Sequence, residues 1–570
     1  MESFFFENFA YFIPSVNDFL SFLIILFLTL VFDEYGYLII KKKSPVNFFI
    51  GWGMFYLIIF FLNFLFKFDL DKIIILFIIL GFLFFLKNFN KNIFTNFFKK
   101  NVIFLIFSFL YVLLLLSSKT KEWDSFAFWG LNINYLIENK IFPNSNDQIL
   151  QVHGNNPQMF GTSYIVYVPH IFLKIFPENV PALFNFIILF KLFILFKNFI
   201  QKNETYLILI PLFFLNPFII NSKSFSLYND FASSVLLTVA YLIIYNQYLL
   251  KVKKLEISSK QFWMVIFFIF SLVLQVKSTG YVHIVISSLC LTFLFIFLKF
   301  RYEYFRLAIL FSLISLLFFL IKFSFDNHPA SNFLRYYPRV DLLNEIILNS
   351  FYSLFNNKFY FIFYIFFLVI LFINLLKKKD VLNSIYIFFY TLSWFLFIEI
   401  SYLVFFLENE AVKANSFNRY LSQVNIIVLI YIILFFFNFF SKKYFKKLTI
   451  YFNKIKNIFI ILILVLPYFL SDKLRRDLQY PLIDISNINS EINFINYQNI
   501  YVITDDLAYI SQVMKFYANH SNVKLSEKHT EDIMIDKYDL VLYINRNKSC
   551  FINKKYELKK NYRCDNTVLQ

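Results

Sequence analysis

The stretch Lys119-Thr-Lys-Glu-Trp-Asp-Ser-Phe-Ala-Phe-Trp-Gly130 follows directly on an apolar run at 102–117 and opens the longest polar interruption before residue 324. Two carboxylates, Glu122 and Asp124, stand there beside Trp123 and Trp129. Acidic groups are costly near hydrocarbon, so a pair of them where an apolar run reaches water marks a candidate site. What flanks the stretch decides whether 119–130 is such a surface.

On both sides the chain is unlike a water-soluble globule. Hydrophobic residues make up 59% of it, with 87 Phe and only 8 Gly in 570 residues, which points to a polytopic membrane protein. A formal charge of +18 would otherwise suggest nucleic acid as a partner. Here the Lys and Arg fall in short clusters between apolar runs, as cytoplasmic loops require, so no nucleic-acid partner is expected. The start lacks a basic n-region and a small-residue cleavage site, so the first span is expected to stay.

A bilayer core takes about 20 apolar residues per helix. The pattern predicts about fourteen transmembrane helices, near 18–40, 47–66, 71–86, 102–117, 180–196, 205–220, 228–247, 262–276, 281–298, 307–323, 359–376, 383–406, 421–440 and 457–471. Every second loop is basic, from Lys41, Lys42 and Lys43 through Lys197 and Lys202 to the lysines between 442 and 456. Assigning those loops to the cytoplasm puts the N-terminus, the segment 118–179 and the tail from 472 outside. Four regions follow: N-terminal helices at 1–117, a large outer loop at 118–179, a transmembrane core at 180–471 and a soluble domain at 472–570. The ionisable residues left on the outer face are Glu122, Asp124, His153, Asp230, Lys277, Arg335, Arg339 and Arg419.

Within the loop, Phe126, Trp129, Ile133 and Leu136 recur at helical spacing, predicting an amphipathic helix along the interface with Asp124 at its start. Asp124 there has two compatible readings, a cap on free backbone amides or a chemical group. A second apolar stretch at 164–176 reads as a return towards the membrane. His153 fits a phosphate or metal contact or an exposed loop position, and His170 fits a structural one.

Four segments, in this order and sidedness, resemble the GT-C superfamily of membrane glycosyltransferases, which includes protein mannosyltransferases, arabinose transferases of lipid A and oligosaccharyltransferases. The stretch from Trp123-Asp124 to Leu136 is similar to that family's acidic residue and following aromatic helix. His153-Gly-Asn-Asn-Pro157 is similar to its later loop motif, Tyr228-Asn-Asp230 to its Tyr-x-Asp before small residues, and Lys277-Ser-Thr-Gly280 to its Lys-x-x-Gly. Arg419-Tyr420 is similar to an Arg-Tyr near a late helix. Asn156 stands where Tyr is usual, Ser278-Thr279 replaces a polar-acidic pair, and three spans precede the one that leads into the loop, so no sugar or acceptor is carried over.

The resemblance implies inverting transfer of a sugar from a polyprenyl-phosphate donor to a lipid, glycan or protein acceptor at the outer face of an inner (cytoplasmic) membrane. A general base near the acceptor hydroxyl contributes about 100- to 10,000-fold in rate, and Asp124 is the expected base. Glu122 assists it, holds a cation or caps. Asp230 faces the same cavity or caps its helix. His153, Lys277, Arg335, Arg339 and Arg419 are expected at the leaving phosphate, against the alternative that the cations snorkel to lipid headgroups. No residue set has metal-ligand spacing, although some members of the superfamily use a divalent cation. A lipid-linked oligosaccharide flippase, or an enzyme like an O-antigen polymerase or ligase, is the alternative.

The tail turns polar. Residues 499–517 read as a strand, a capped turn and a helix, and 538–544 as a second strand, a small α/β domain outside the membrane. Asp505 and Asp506 fit helix capping. Cys550 and Cys564 are expected to bridge in an oxidising compartment, and Cys290 to sit in the core of a span.

Overall fold

Apolar runs of this length have one way to satisfy their backbone amides away from water, and the chain takes it by becoming helix. The computed structural model describes residues 8–88, 102–121, 126, 129–143, 160–200, 211–214, 216, 219, 229–250, 254–277, 279–326, 340–378, 380–406, 408–439, 461, 464–479, 481–504, 506–518, 522–526, 538–545 and 548–553. The helices that build the bundle are α1 (Val16–Ile40), α2 (Asn47–Ile59), α3 (Leu70–Asn88), α4 (Val102–Leu115), α5 (Gly130–Asn139), α6 (Gly161–Leu173), α7 (Val180–Lys197) and α8 (Asn229–Ile244). They continue as α9 (Ser259–Val276), α10 (Gly280–Leu298), α11 (Arg301–Asp326), α12 (Leu343–Asn356), α13 (Lys358–Leu376), α14 (Val381–Val404), α15 (Glu408–Val412), α16 (Phe417–Ser422) and α17 (Asn425–Phe439).

Among the described residues nine helices are long and apolar enough to cross a membrane. Helices α3, α4 and α17 occupy three more of the expected spans; the one expected near 205–220 falls largely outside the described residues, and of the one near 457–471 residues 461 and 464–471 are described, with 464–469 helical. Cys290 is buried in α10.

Without a hydrophobic drive between helices in lipid, close backbone approach holds them together, and small residues permit it. At Gly51 of α2 an added Cβ would stand 1.9 Å from the carbonyl oxygen of Phe32 in α1. The α1 to α2 crossing therefore requires glycine at that position.

The bundle has two chemically distinct ends. At one, the basic turns meet: Lys42 pairs with Glu256, Gln261 Nε2 donates to the Ile40 carbonyl at 2.8 Å, and Arg306 pairs with Glu303 at 3.0 Å. At the other, Asn179 Nδ2 donates to the carbonyls of Asp18 and Leu116 at 3.0 and 2.7 Å, and Thr120 N donates to Glu178 at 2.9 Å. This second end, the loop end, gathers the first residues of α1, the 118–179 segment and the tail.

The tail folds as α18 (Leu482–Ile492), β1 (Asn499–Thr504), α19 (Leu507–Ala518), β2 (Asn522–Ser526), β3 (Leu540–Asn545) and β4 (Lys548–Asn553). The sheet order is β2-β1-β3-β4, with β1 parallel to both β2 and β3, and β4 antiparallel to β3. The strand-helix-strand pattern of the sequence is present, and β2 and β4 extend it. Asp506 Oδ1 accepts from Tyr509 N at 3.1 Å, the expected cap of α19. Cys550 lies in β4, but its side chain and Cys564 are outside the described residues, as is Asp505.

One expectation needs correction. The expected helix start at Asp124 lies outside the described residues, and α5 carries the helix from Gly130 onward; what differs from expectation is Phe126, which packs into the tail rather than along the interface. Its ring packs in the core of the tail domain, 5.3 Å from Phe516, where Phe176 also packs. A large apolar ring offered a protein core is buried there as well as in lipid, and tail and loop thereby share one core.

Candidate functional site

Three charged residues far apart in sequence meet at the loop end. Asp230 occupies the first turn of α8, Lys277 the residue after α9, and Arg419 the middle of α16. Lys277 Nζ is bonded to Asp230 Oδ1, and Arg419 Nε donates to Asp230 Oδ2 at 3.2 Å. The carboxylate is only 1% exposed, a burial tolerable because both oxygens meet cationic donors. Tyr420 adds its ring face, 5.9 Å from Lys277 Nζ and 5.7 Å from the Arg419 guanidinium carbon.

A polar chain runs inward from this cluster. Gln423 Nε2 donates to Asp230 Oδ1 at 2.8 Å, while its Oε1 accepts from Thr279 Oγ1 at 3.2 Å and lies 3.0 Å from His283 Nε2. An amide oxygen only accepts, so His283 carries hydrogen on Nε2. On the other side of the ring, Nδ1 lies 3.0 Å from the Tyr390 hydroxyl. Trp394 stacks on the imidazole with centroids 3.7 Å apart, and its own Nε1 donates to the Tyr420 carbonyl at 3.0 Å.

The backbone is built for this closeness. At Gly280, which opens α10 three residues after Lys277, a Cβ would stand 2.3 Å from the Val273 carbonyl oxygen. Thr162, at the head of α6, donates its hydroxyl to Asn229 Oδ1 beside Asp230. The 118–179 segment therefore returns onto the charged cluster.

Asp230, Lys277 and Arg419 are thus brought together, and both oxygens of Asp230 are taken by donors from Lys277, Arg419 and Gln423. Glu122, Asp124, His153, Arg335 and Arg339 lie outside the described residues. His170 Nδ1 lies 2.9 Å from the Ile175 carbonyl, a contact within its own turn. Among the described residues no group of three or more His, Cys, Asp or Glu is placed to hold a metal ion.

Sequence reasoning missed Gln423, His283, Thr279 and Trp394. Gln423 follows Arg419 by four residues, one helical turn, which is the signal that would have found it. His283 stands alone in an apolar helix, where a histidine is as often structural as functional.

No family model matches the chain, and no curated protein matches it.

Proposed function

We propose that the chain is an integral membrane glycosyltransferase of the GT-C kind, transferring a sugar from a polyprenyl-phosphate donor to a lipid, glycan or protein acceptor at the extracytoplasmic face of an inner membrane. The observation that carries this reading is the convergence of Lys277 and Arg419 on one buried carboxylate at the bundle end where the 118–179 segment returns. A lysine and an arginine fixed in this way, a compact charge beside a planar fork, suit the phosphate of a departing lipid carrier.

The roles divide accordingly. Asp230 is a positioning residue, its oxygens committed to Lys277, Arg419 and Gln423, and the base is Asp124, as the resemblance implies. Asp124 takes the proton of the acceptor hydroxyl as that oxygen attacks the anomeric carbon from the face opposite the phosphate. The bond from that carbon to the phosphate oxygen breaks with inversion, and its electron pair leaves on the polyprenyl phosphate beside Lys277 and Arg419. Glu122, His153, Arg335 and Arg339 belong to the same proposed outer surface.

A flippase would instead place charges near the middle of its spans. The described charged residues that pair in the bundle gather towards its ends, with Asp230, Lys277 and Arg419 at one and Asp33, Glu34 and Lys43 towards the other. That distribution favours an enzyme over the flippase.

The test is turnover of polyprenyl-phosphate sugars by purified wild type and Asp124→Asn, each with and without a chelator of divalent cations. Loss of about 100- to 10,000-fold is expected from a missing general base. Equal turnover would remove Asp124 from the mechanism, and the chelator arm decides whether a divalent cation takes part.

A further inference from the structure

Beside the Asp230 cluster, and separate from it, the loop end carries an open cleft of about 870 Å³ between the end of α12, the head of α13 and the turn joining α15 to α16. Its volume falls within the roughly 300–1,000 Å³ of small-molecule sites. Its lining is unusual for a chain so rich in Phe and Leu. Asn349, Tyr352, Asn356, Lys358, Lys413 and Asn418 all border it.

Part of this lining is held in place from behind. Asn349 Nδ2 donates to the Val412 carbonyl at 2.6 Å, and Asn418 Nδ2 to the carbonyl and hydroxyl of Ser353 at 3.1 and 3.2 Å. The amide oxygen of Asn418 is buried and accepts no hydrogen bond among the described residues. Lys358 and Lys413 form no ion pair among the described residues. Tyr352 is 65% exposed at the rim.

We infer that this cleft binds an acidic oligosaccharide, with its hydroxyls on the amides of Asn349 and Asn356, the carbon face of one ring on Tyr352, and its carboxylates on Lys358 and Lys413. Amides that both donate and accept match hydroxyl groups, which do the same. An aromatic face beside polar groups suits a ligand with one apolar side. Two ammonium groups at one mouth select negative charge. The inference concerns binding and holds whether or not the chain transfers a sugar. Because Asn418 adjoins Arg419, an occupant would lie beside the charged cluster.

The experiment is titration of the full chain, in nanodiscs of zwitterionic lipid, with trigalacturonate and with maltotriose. Trigalacturonate is expected to bind, and maltotriose about tenfold or more weaker, the difference expected when charge-assisted hydrogen bonds are lost. Lys358→Ala with Lys413→Ala should weaken trigalacturonate by a similar factor, and Asn356→Ala by less. All three residues are exposed, so the fold should tolerate these changes. Asp124→Asn should leave this binding unchanged even where turnover is lost. No binding of trigalacturonate, equal binding by the double variant, or loss of binding in nanodiscs of anionic phospholipid, which would assign the lysines to lipid headgroups, would each overturn the inference.

Discussion

Asp230 is a carboxylate whose burial depends on its partners. Taking away one member of a buried ion pair commonly costs more than the pair itself contributes, since the remaining charge is left uncompensated. Asp230→Asn leaves Lys277 and Arg419 facing a neutral amide, and a loss of about 3 kcal/mol or more is expected in thermal unfolding of the purified protein in detergent. A melting temperature within a degree or two of wild type would show that the cations do not depend on it. Gln423→Leu should cost less, about 1–3 kcal/mol, because Asp230 keeps both cationic partners and what is stranded are the neutral donors of Thr279 and His283. Asp230, Lys277 and Arg419 were legible as individuals, since a charged residue at the edge of an apolar run has few reasons to be there. Their meeting was not legible, because it depends on which helices pack together. Gln423 and His283 were hidden for a different reason: uncharged polar residues and lone histidines occur in spans without announcing a role.

At the level of helices, the apolar runs predicted where most elements begin and end, since in lipid an apolar run must form hydrogen bonds with itself. Packing between helices rests instead on a few small residues, and Gly51 is the plainest case. Gly51→Ala should separate α1 from α2 and cost about 1–3 kcal/mol as overpacking, read as a lower melting temperature with the sugar-transfer assay as a second readout. Unchanged stability would mean that the crossing is looser than the 1.9 Å approach implies. Phe126 shows where the sequence was silent. In a chain with 87 Phe, one more phenylalanine at helical spacing says little about which core receives it. Its place against Phe516 and Tyr517 was settled by a tail some 390 residues further along.

Across the whole molecule the tail is fastened to the bundle by buried polar groups. Arg475, 1% exposed, pairs with Asp477 at 3.0 Å and donates to carbonyls of Leu114, Ser117 and Tyr11 at 3.2 to 3.3 Å, joining tail, α4 and N-terminus. Arg475→Ala should cost about 3–5 kcal/mol by stranding Asp477, seen as early release of the tail in limited proteolysis. Glu178 forms a second link, accepting from Thr120 N and, at 3.2 Å, from the Tyr517 hydroxyl. Burial pushes its carboxyl above the usual glutamate range. The docked state therefore binds this proton more tightly than the released one. Its contribution is full below the ordinary glutamate pKa and is lost as pH rises through the elevated one. Melting temperature measured across about pH 4 to pH 8 should fall with rising pH more steeply in wild type than in Glu178→Gln, and identical slopes would remove Glu178 as the cause. All of this geometry serves one claim, that the ionisable residues of the loop end share an aqueous compartment opposite the basic turns. Single cysteines at Lys42, Arg301, Lys358 and Asp472, in a chain with Cys290, Cys550 and Cys564 replaced by Ser, test it directly with a membrane-impermeant thiol reagent on intact cells. Positions 358 and 472 should label while 42 and 301 stay protected until the membrane is opened; labelling of 42 and 358 from the same side would contradict the account.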